Sequence, residues 1–325
     1  MAAMPDRYTE SLIDLRDLTA EHLAPLLDEE IAAWRTGLDW DFSASADLVR
    51  RFVHLRALSG FALMTPAGVA GYSYYVAEEG KGLIGDFFVR ASARTQESER
   101  LLLEAVLDGI FRTPGVRRVE AQLMMIGSKL GTDLAGSVPY PRWFRHYPRM
   151  FLEVPLFPDA PWPARESANT IFSPWTENRQ DDAARLIATS YRGHVDSQIN
   201  DQYRSPGGAR RFLSNIVQYP GCGSFFAPAS FAAWDRADRT LCGVSLSSLV
   251  AAETGHITQI CVAPSHQGKG IGYELLRRSL TALTAHGCRR ASLTVTSNNE
   301  SAVRLYEQMG FRNRRDFAAS VWEIR

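Results

Sequence analysis

The sequence predicts an α/β chain made of two copies of one domain, each a mixed, mostly antiparallel sheet flanked by helices. Three observations carry this reading. The 325 residues exceed one typical domain of about 100–200 residues. A weak internal repeat runs at an offset of 173 residues, with Leu83 falling on His256. In each half the hydrophobic period changes in the same order: helices, a hairpin, a strand, a helix and a strand.

The repeat is ordered rather than dense. LIGDFFVRAS, from Leu83, lies on HITQICVAPS, from His256, so Ile84 meets Ile257, Val89 meets Val262 and Ser92 meets Ser265. The same register carries Leu102, Leu103 and Leu107 onto Leu275, Leu276 and Leu280. After a one-residue slip, Gly115, Arg117 and Arg118 fall on Gly287, Arg289 and Arg290. Chance matches would drift between registers, whereas these keep their order.

The elements follow in chain order. Residues 12–16 alternate like a strand. Thr19 caps a helix reaching about Trp34, with Glu21 in its first turn. Residues 45–58 form a second amphipathic helix with Ser45 as its N-cap and Leu48, Phe52, Leu55 and Leu58 at helical spacing. Thr65-Pro-Ala-Gly68 is the turn of a hairpin, followed by a strand over 83–89, a helix over 97–111 and a strand over 119–125. The second copy has helices over 179–192 and 209–218 and a hairpin of strands over 224–234 and 241–251. A strand over 256–262, a helix over 272–285, a strand over 291–296, a helix over 301–309 and a closing strand over 317–324 complete it. Three prolines within Pro158–Pro163 make a stiff linker. The expected division is therefore 1–156, a linker over 157–168, and 169–325.

Composition narrows the partners. Lys plus Arg and Asp plus Glu each number 36, so the formal net charge is zero and no basic field favours a nucleic acid. The longest uncharged stretch, 212–234, is broken by Pro220, Gly221, Gly223 and Pro228, which excludes a membrane span. The N-terminus has no apolar signal core, and Cys222, Cys242, Cys261 and Cys288 show no CxxC spacing. A cytoplasmic protein, monomer or homodimer, with reduced thiols is expected.

The chemistry concentrates in Val262-Ala-Pro-Ser-His-Gln-Gly-Lys-Gly-Ile-Gly272. It follows an apolar strand and opens an amphipathic helix. Gly268, Gly270 and Gly272 let backbone approach a ligand, and a helix start offers unpaired N–H groups and a positive dipole end. That is a phosphate site. A Walker A loop fails because Ala263 stands where its first glycine should be, and the GxGxxG fingerprint fails at Tyr273 and Leu275. A second pattern, Asn299-x-x-Ala302-x-x-x-Tyr306-x-x-x-Gly310-Phe311, sets Asn299, Ala302 and Tyr306 on one helical stripe. Asn298 or Asn299 can cap this helix and Gly310 ends it.

Together, Q-x-x-G-x-G and N-x-x-A-x-x-x-Y-x-x-x-G-F resemble the GNAT acetyltransferase superfamily, over about 170–325. Two tandem GNAT-like acyl-CoA N-acyltransferase domains would repeat a layout known in the mycothiol synthase subclass, where one half is degenerate. The resemblance implies N-acetyl transfer from acetyl-CoA, as acyl-donor co-substrate, to a primary amine of a small molecule or peptide. It implies that Gln267, Gly268, Lys269, Gly270, Ile271 and Gly272 hold the pyrophosphate and that Asn299 and Ala302 line the coenzyme. It further implies that Ile260, Cys261 and Val262 present backbone N–H groups to the thioester and that Tyr306 protonates the departing thiolate. A phenol of pKa about 10 suits that role. Many family members place a Glu on the fourth strand, but here His256-Ile-Thr-Gln259 carries no carboxylate. His256 is a candidate base with Glu253 just before it, and His194, Asp196 and Asp201 are further candidates, in a segment that often lines the acceptor site in this family. No metal is expected, because His194 and Asp196 lack a third ligand at a usual spacing. The alternative function is a non-catalytic sensor of acetyl-CoA or CoA.

In the first copy Gln267 falls on Arg94, and Gly270 and Gly272 fall on Glu97 and Glu99. Carboxylates there suit a helix dipole but repel a pyrophosphate. The first copy is therefore expected to be non-catalytic. The aromatic and Arg-rich run 138–148 reads as an edge loop or a source of substrate contacts.

Overall fold

A computed structural model describes residues 11–126, 143–158, 162–165, 169–219 and 221–324. The strands are β1 (Ser11–Asp14), β2 (Gly60–Thr65), β3 (Gly68–Glu78), β4 (Lys81–Val89), β5 (Arg118–Gln122), β6 (Trp143–Pro155), β7 (Thr170–Pro174), β8 (Ser224–Phe225), β9 (Phe231–Asp235), β10 (Leu241–Ala251), β11 (Thr254–Val262), β12 (Arg290–Thr296) and β13 (Arg312–Glu323). The helices are α1 (Ala20–Leu38), α2 (Ser43–His54), α3 (Gln96–Arg112), α4 (Gln180–Ser190), the single turn α5 (Asp196–Ile199), α6 (Pro206–Gln218), α7 (Ile271–His286) and α8 (Glu300–Gln308).

The chain divides into two units. The first comprises Met1–Gly37, Phe42–Pro148 and Phe317–Arg325, and the second Leu38–Asp41 and Arg149–Asp316. The first unit orders its strands β1-β2-β3-β4-β5-β13, and the second β7-β9-β10-β11-β12-β6. The plan is the same, so the repeat in sequence is a repeat in structure. The registers agree in detail. β4 pairs in parallel with β5 only over Lys81–Ile84, and β11 with β12 only over Thr254–Ile257, four residues each. Each of these strands also carries an irregularity beside that point: Tyr74 and Tyr75 face Asp86 and Ile84, and Leu246 and Ser247 face Gln259 and Ile257. The extra residues, Gly85 and Thr258, stand 173 positions apart, as the repeat requires.

The division is not the linear one expected at 156 and 169. In the second unit, the neighbour of β12 is the end of β6, with Arg149–Pro155 antiparallel to Arg290–Thr296. In the first, the neighbour of β5 is the end of β13, with Ala319–Glu323 opposite Arg118–Gln122. The last strand of each half thus completes the sheet of the other, and the closing strand assigned to the second copy belongs to the first unit. Residues 38–41 also join the second unit, where Trp40 packs on Phe151 and His256, and Asp39 bonds Arg290 and Arg314.

The core of the first unit lies between its sheet and α3 and contains Phe87, Leu102, Val106, Leu107, Ile110 and Trp322. In the second unit one face of the sheet packs on α7 and α8 through Leu276, Leu280, Leu283, Leu293, Tyr306 and Phe311. The other face packs on α4 and α6 through Ala183, Ile187, Leu213, Val244, Leu246 and Cys261. Three local expectations change. α2 begins at Ser43 with Phe42 as an N-cap that offers no side-chain bond, so Ser45 lies inside the helix. Residues 224–234 are two short strands separated by a turn around Pro228, which has no N–H for a ladder. The strand after α3 ends at Gln122 rather than 125. Of the run 138–148, the residues before Trp143 lie outside the described residues.

Candidate functional site

The glycine loop has the shape its composition requires. After Val262, Pro264–His266 makes a 3-10 turn and Gln267 is extended. The Gln267 Nε2 donates to the Val262 carbonyl at 3.2 Å, which closes the loop on the strand end. Gly268 and Gly270 sit at φ of 74° and 80°, in the left-handed region where a side chain is strained. Gly270 is the N-cap of α7 and, having no side chain, gives the helix no cap bond. The first N–H groups of a helix have no partner within it. Among the described residues nothing lies within 4 Å of a Cβ built on Gly268, and the nearest atom to one on Gly270 is Arg165 Cδ at 3.9 Å. The loop is open, uncapped and lined by backbone amides, which fits a phosphate group. His266 Nε2, 2.8 Å from Asp235 Oδ2, ties the loop to β9. The imidazole holds the Asp235 carboxyl below the usual carboxylate range.

The second element is the gap between β11 and β12. Beyond Ile257 and Leu293 the parallel ladder stops, yet both strands continue. Residues 259–262 keep β10 on one edge and lose β12 on the other, leaving strand N–H and C=O groups without a strand partner there. The glycine loop leaves the carboxyl end of β11 and α8 follows that of β12. This is where α/β sheets place ligands.

Tyr306 on α8 is buried, with its ring 5.9 Å from that of Phe311. Burial pushes its phenol well above the usual range, the Asp196 charge adds to this, and Arg149 opposes it. The hydroxyl therefore keeps its proton. Asn299 is the N-cap of α8, with Oδ1 accepting from the Ala302 amide at 3.3 Å. Gly310, at φ 90°, ends the helix as expected.

Asp196 opens α5. Its Oδ1 accepts from the Thr296 hydroxyl at 2.5 Å and lies 3.6 Å from Arg149 Nη1. Arg149 also donates to Thr296 and Thr294 at 3.2 and 3.0 Å. The His194 Nδ1 accepts from the Asp196 amide at 3.1 Å and lies 3.8 Å from Asp196 Oδ2. With Nδ1 accepting, the neutral ring carries its proton on Nε2. Behind this group, Tyr191 and Tyr203 stack at 4.4 Å. Gln259 bridges them, donating to Tyr191 Oη at 3.1 Å and accepting from Tyr203 Oη at 3.4 Å. Asp201 starts a neighbouring 3-10 turn, Asp201–Arg204.

The two candidate bases at the start of β11, His256 in the strand and Glu253 just before it, are not brought here. His256 is buried near the start of the strand, tilted against Trp40 with ring centroids 5.1 Å apart and bonded to Ser292 Oγ at 2.8 Å. Burial pushes its pKa down to about 3, and its place near the start of the strand keeps it away from the gap that opens beyond Ile257. Glu253 is exposed in the turn before β11 and pairs with Arg289 at 3.2 Å. At ~3.3 Å per residue the nine-residue strand puts it at the far end from Val262. Arg149, Thr296, Tyr191 and Tyr203 were not singled out from sequence. Arg149 has no motif and lies outside the half that carries the others.

The first unit fills the equivalent places. Arg94, the counterpart of Gln267, donates to the Val89 carbonyl at 2.8 Å, so its role in closing the loop persists. The helix start does not stay open: Thr95 and Ser98 form a reciprocal capping box on α3. Glu97 pairs with Arg100, and the buried Glu99 lies 3.5 Å from Arg94. At the bulge, a Cβ on Gly85 would lie 2.1 Å from the Tyr74 ring. Asp86, at the position of Gln259, is buried with Glu30 beneath Tyr72, whose hydroxyl donates to Glu30 at 2.8 Å.

Residues 198–311 match the model of the acetyltransferase (GNAT) family. A mycothiol acetyltransferase of Saccharopolyspora erythraea is 31% identical over 87 residues, 27% of this chain and 29% of that protein. One from Streptomyces avermitilis is 36% identical over 88 residues, 27% and 28% of the two chains. The chain thus spans under a third of the length of these curated relatives. A GCN5-related N-acetyltransferase from Sphaerobacter thermophilus superposes over 99% of this chain and 98% of its own, at TM-score 0.68 and 18% identity. A tandem GNAT protein from the clavulanic acid biosynthesis pathway does so over 97% and 98%, at TM-score 0.67 and 15% identity. The fold is that of tandem GNAT proteins.

Proposed function

We propose, from the place of residues 198–311 in the GNAT acetyltransferase family, that the second unit transfers an acetyl group from acetyl-CoA to a primary amine by direct attack. The observation that carries the proposal is the open glycine loop and the buried, protonated Tyr306 following the two strands of one gap. The amides at the start of α7 would hold the pyrophosphate, with Lys269 beside them. Asn299 and Ala302, on the first turn of α8, would line the coenzyme. Acetyl-CoA supplies the activated acyl group as a thioester.

The chain's own groups supply the rest. Those backbone N–H groups of 260–262 that point away from β10, on the unpaired edge of β11, would stabilise developing negative charge at the acyl oxygen. The Tyr306 hydroxyl, a phenol that is protonated at neutral pH, would give its proton to the departing sulfur, although burial raises its pKa and so makes it a weaker acid. Asp196 takes the place of a strand carboxylate. Thr296 and Arg149 hold its Oδ1, and its Oδ2 receives the proton of the substrate ammonium beside the part-exposed His194. Gln259 orders the wall of tyrosines and cannot act as a base. The first unit has a capped helix start and a tyrosine at its bulge, and we assign it no turnover.

The test is coenzyme thiol release by the whole chain with a panel of primary amines. Amine-dependent release supports the proposal. Tight binding of acetyl-CoA with no transfer to any amine or to water would favour a non-catalytic sensor, the function that the missing strand carboxylate suggests.

A further inference from the structure

The linker does more than join the halves. Residues 162–165 lie along the two helices that carry the motifs. Trp162 Nε1 donates to the Met309 carbonyl at the end of α8, at 3.0 Å. The Tyr273 hydroxyl donates to the Pro163 carbonyl at 3.1 Å, and the Arg165 amide donates to Glu274 Oε2 at 3.1 Å. The Arg165 guanidinium stacks on the Tyr273 ring, 3.7 Å from its centroid. Four contacts, from Trp162, Pro163 and Arg165, make this segment a fixed strap.

The strap puts a cation where a helix alone would not want one. Tyr273 lies in the first turn of α7, whose N-terminus is the positive end of its dipole. Arg277 and Arg278 are paired with Glu274 at 2.7 and 2.8 Å. Among the described residues, the side chains of Arg165 and Lys269 meet no carboxylate, and Arg165 is exposed. The Arg165 side chain passes the left-handed Gly270, with Cδ 3.9 Å from a Cβ built there. A guanidinium stacked by its face keeps its N–H edge free for an oxyanion. An anion on the loop amides would answer both cations and the dipole.

We propose that Arg165, delivered by the interdomain strap, is a ligand for a phosphate of the acyl-CoA donor. This rests on the phosphate-loop reading above and adds a residue that lies outside both motifs. The strap makes donor affinity depend on the linker as well as on the domain fold.

The test measures acetyl-CoA binding to the full chain by calorimetry for wild type, Arg165→Lys, Arg165→Ala, Arg165→Glu and Gly270→Glu, with melting temperatures recorded for each. Loss of one charge-assisted phosphate contact weakens binding about tenfold in Arg165→Ala. Arg165→Lys should lose less and Arg165→Glu more, with melting temperatures of the unliganded proteins lowered by no more than the few degrees that loss of one exposed ring contact costs. If all three Arg165 variants bind like wild type while Gly270→Glu does not bind, the assignment of Arg165 fails and the loop stands. If Gly270→Glu binds like wild type, the phosphate-loop reading fails, and the Arg165 assignment with it.

Discussion

A fragment of residues 157–325 begins where the sequence suggests that the second domain begins. The structure predicts that it cannot hold its fold. It lacks Arg149–Pro155, which pairs along the whole of β12. It also loses Phe151, Leu152, Val154 and Leu156, which are 0–5% exposed in the whole chain. Burying a large apolar side chain contributes about 1.5–3 kcal/mol, so the four together contribute about 6–12 kcal/mol. Domain stabilities are about 5–15 kcal/mol, so this loss alone removes most or all of it. The bared edge of β12 would also invite aggregation. The assay compares thermal and urea unfolding of fragments 157–325 and 143–325. The longer fragment should give a cooperative transition, and the shorter should be unfolded or aggregated. Equal midpoints for the two would refute the assignment of β6 to the second unit.

Other expectations address the chemistry and the first unit. Tyr306→Phe should lower kcat by about 10²-fold or more while changing the affinity for acetyl-CoA little, as seen by steady-state kinetics beside calorimetry; an unaltered kcat would make Tyr306 a packing residue only. Asp196→Asn should lower kcat/KM for the amine and leave binding of acetyl-CoA intact; equal losses for both substrates would point to collapse of the site. Glu30 is buried beside Asp86, and burial followed by the Asp86 charge raises its pKa well above 4.5. The folded state then holds a proton that the unfolded state has lost. Stability from this group is full below about pH 4.5 and declines as pH rises toward the folded pKa, by at most about 1.4 kcal/mol per pH unit. Burial of His256 acts in the opposite sense, since its pKa is pushed down to about 3 and its contribution is lost as pH falls below about 6.5. Comparing melting of Glu30→Gln with wild type from pH 5 to 8 isolates the carboxyl; identical slopes would contradict the buried pair.

Much of the local geometry of the candidate site was legible in the sequence because its signals are local. Gln267 to Gly272 declares a turn with left-handed glycines and an uncapped helix start within six residues. Asn299 to Gly310 declares both caps of one helix and the stripe that buries Tyr306. The repeat was equally legible, down to the one-residue slip that separates the pairings of β4 with β5 and of β11 with β12. His256 and Glu253 were misplaced for a physical reason. Proximity along a strand does not tell which end faces the gap, and the bulge at Thr258 changes which residues share a face.

What the sequence determined by itself is the plan of each unit: period, turn chemistry and capping act over a few residues and repeat wherever the pattern repeats. What only the tertiary structure decided is which strand closes which sheet, and which distant side chains gather around Asp196. The ends of β6 and β13 carry similar alternating apolar residues, and either could pair with an open sheet edge, so strand pattern cannot name the partner. Arg149, Asp196 and Thr296 come from three separate elements and meet only because β6 crosses into the second unit and lies beside β12. Their chemistry comes from long-range packing, and no short stretch of sequence records it.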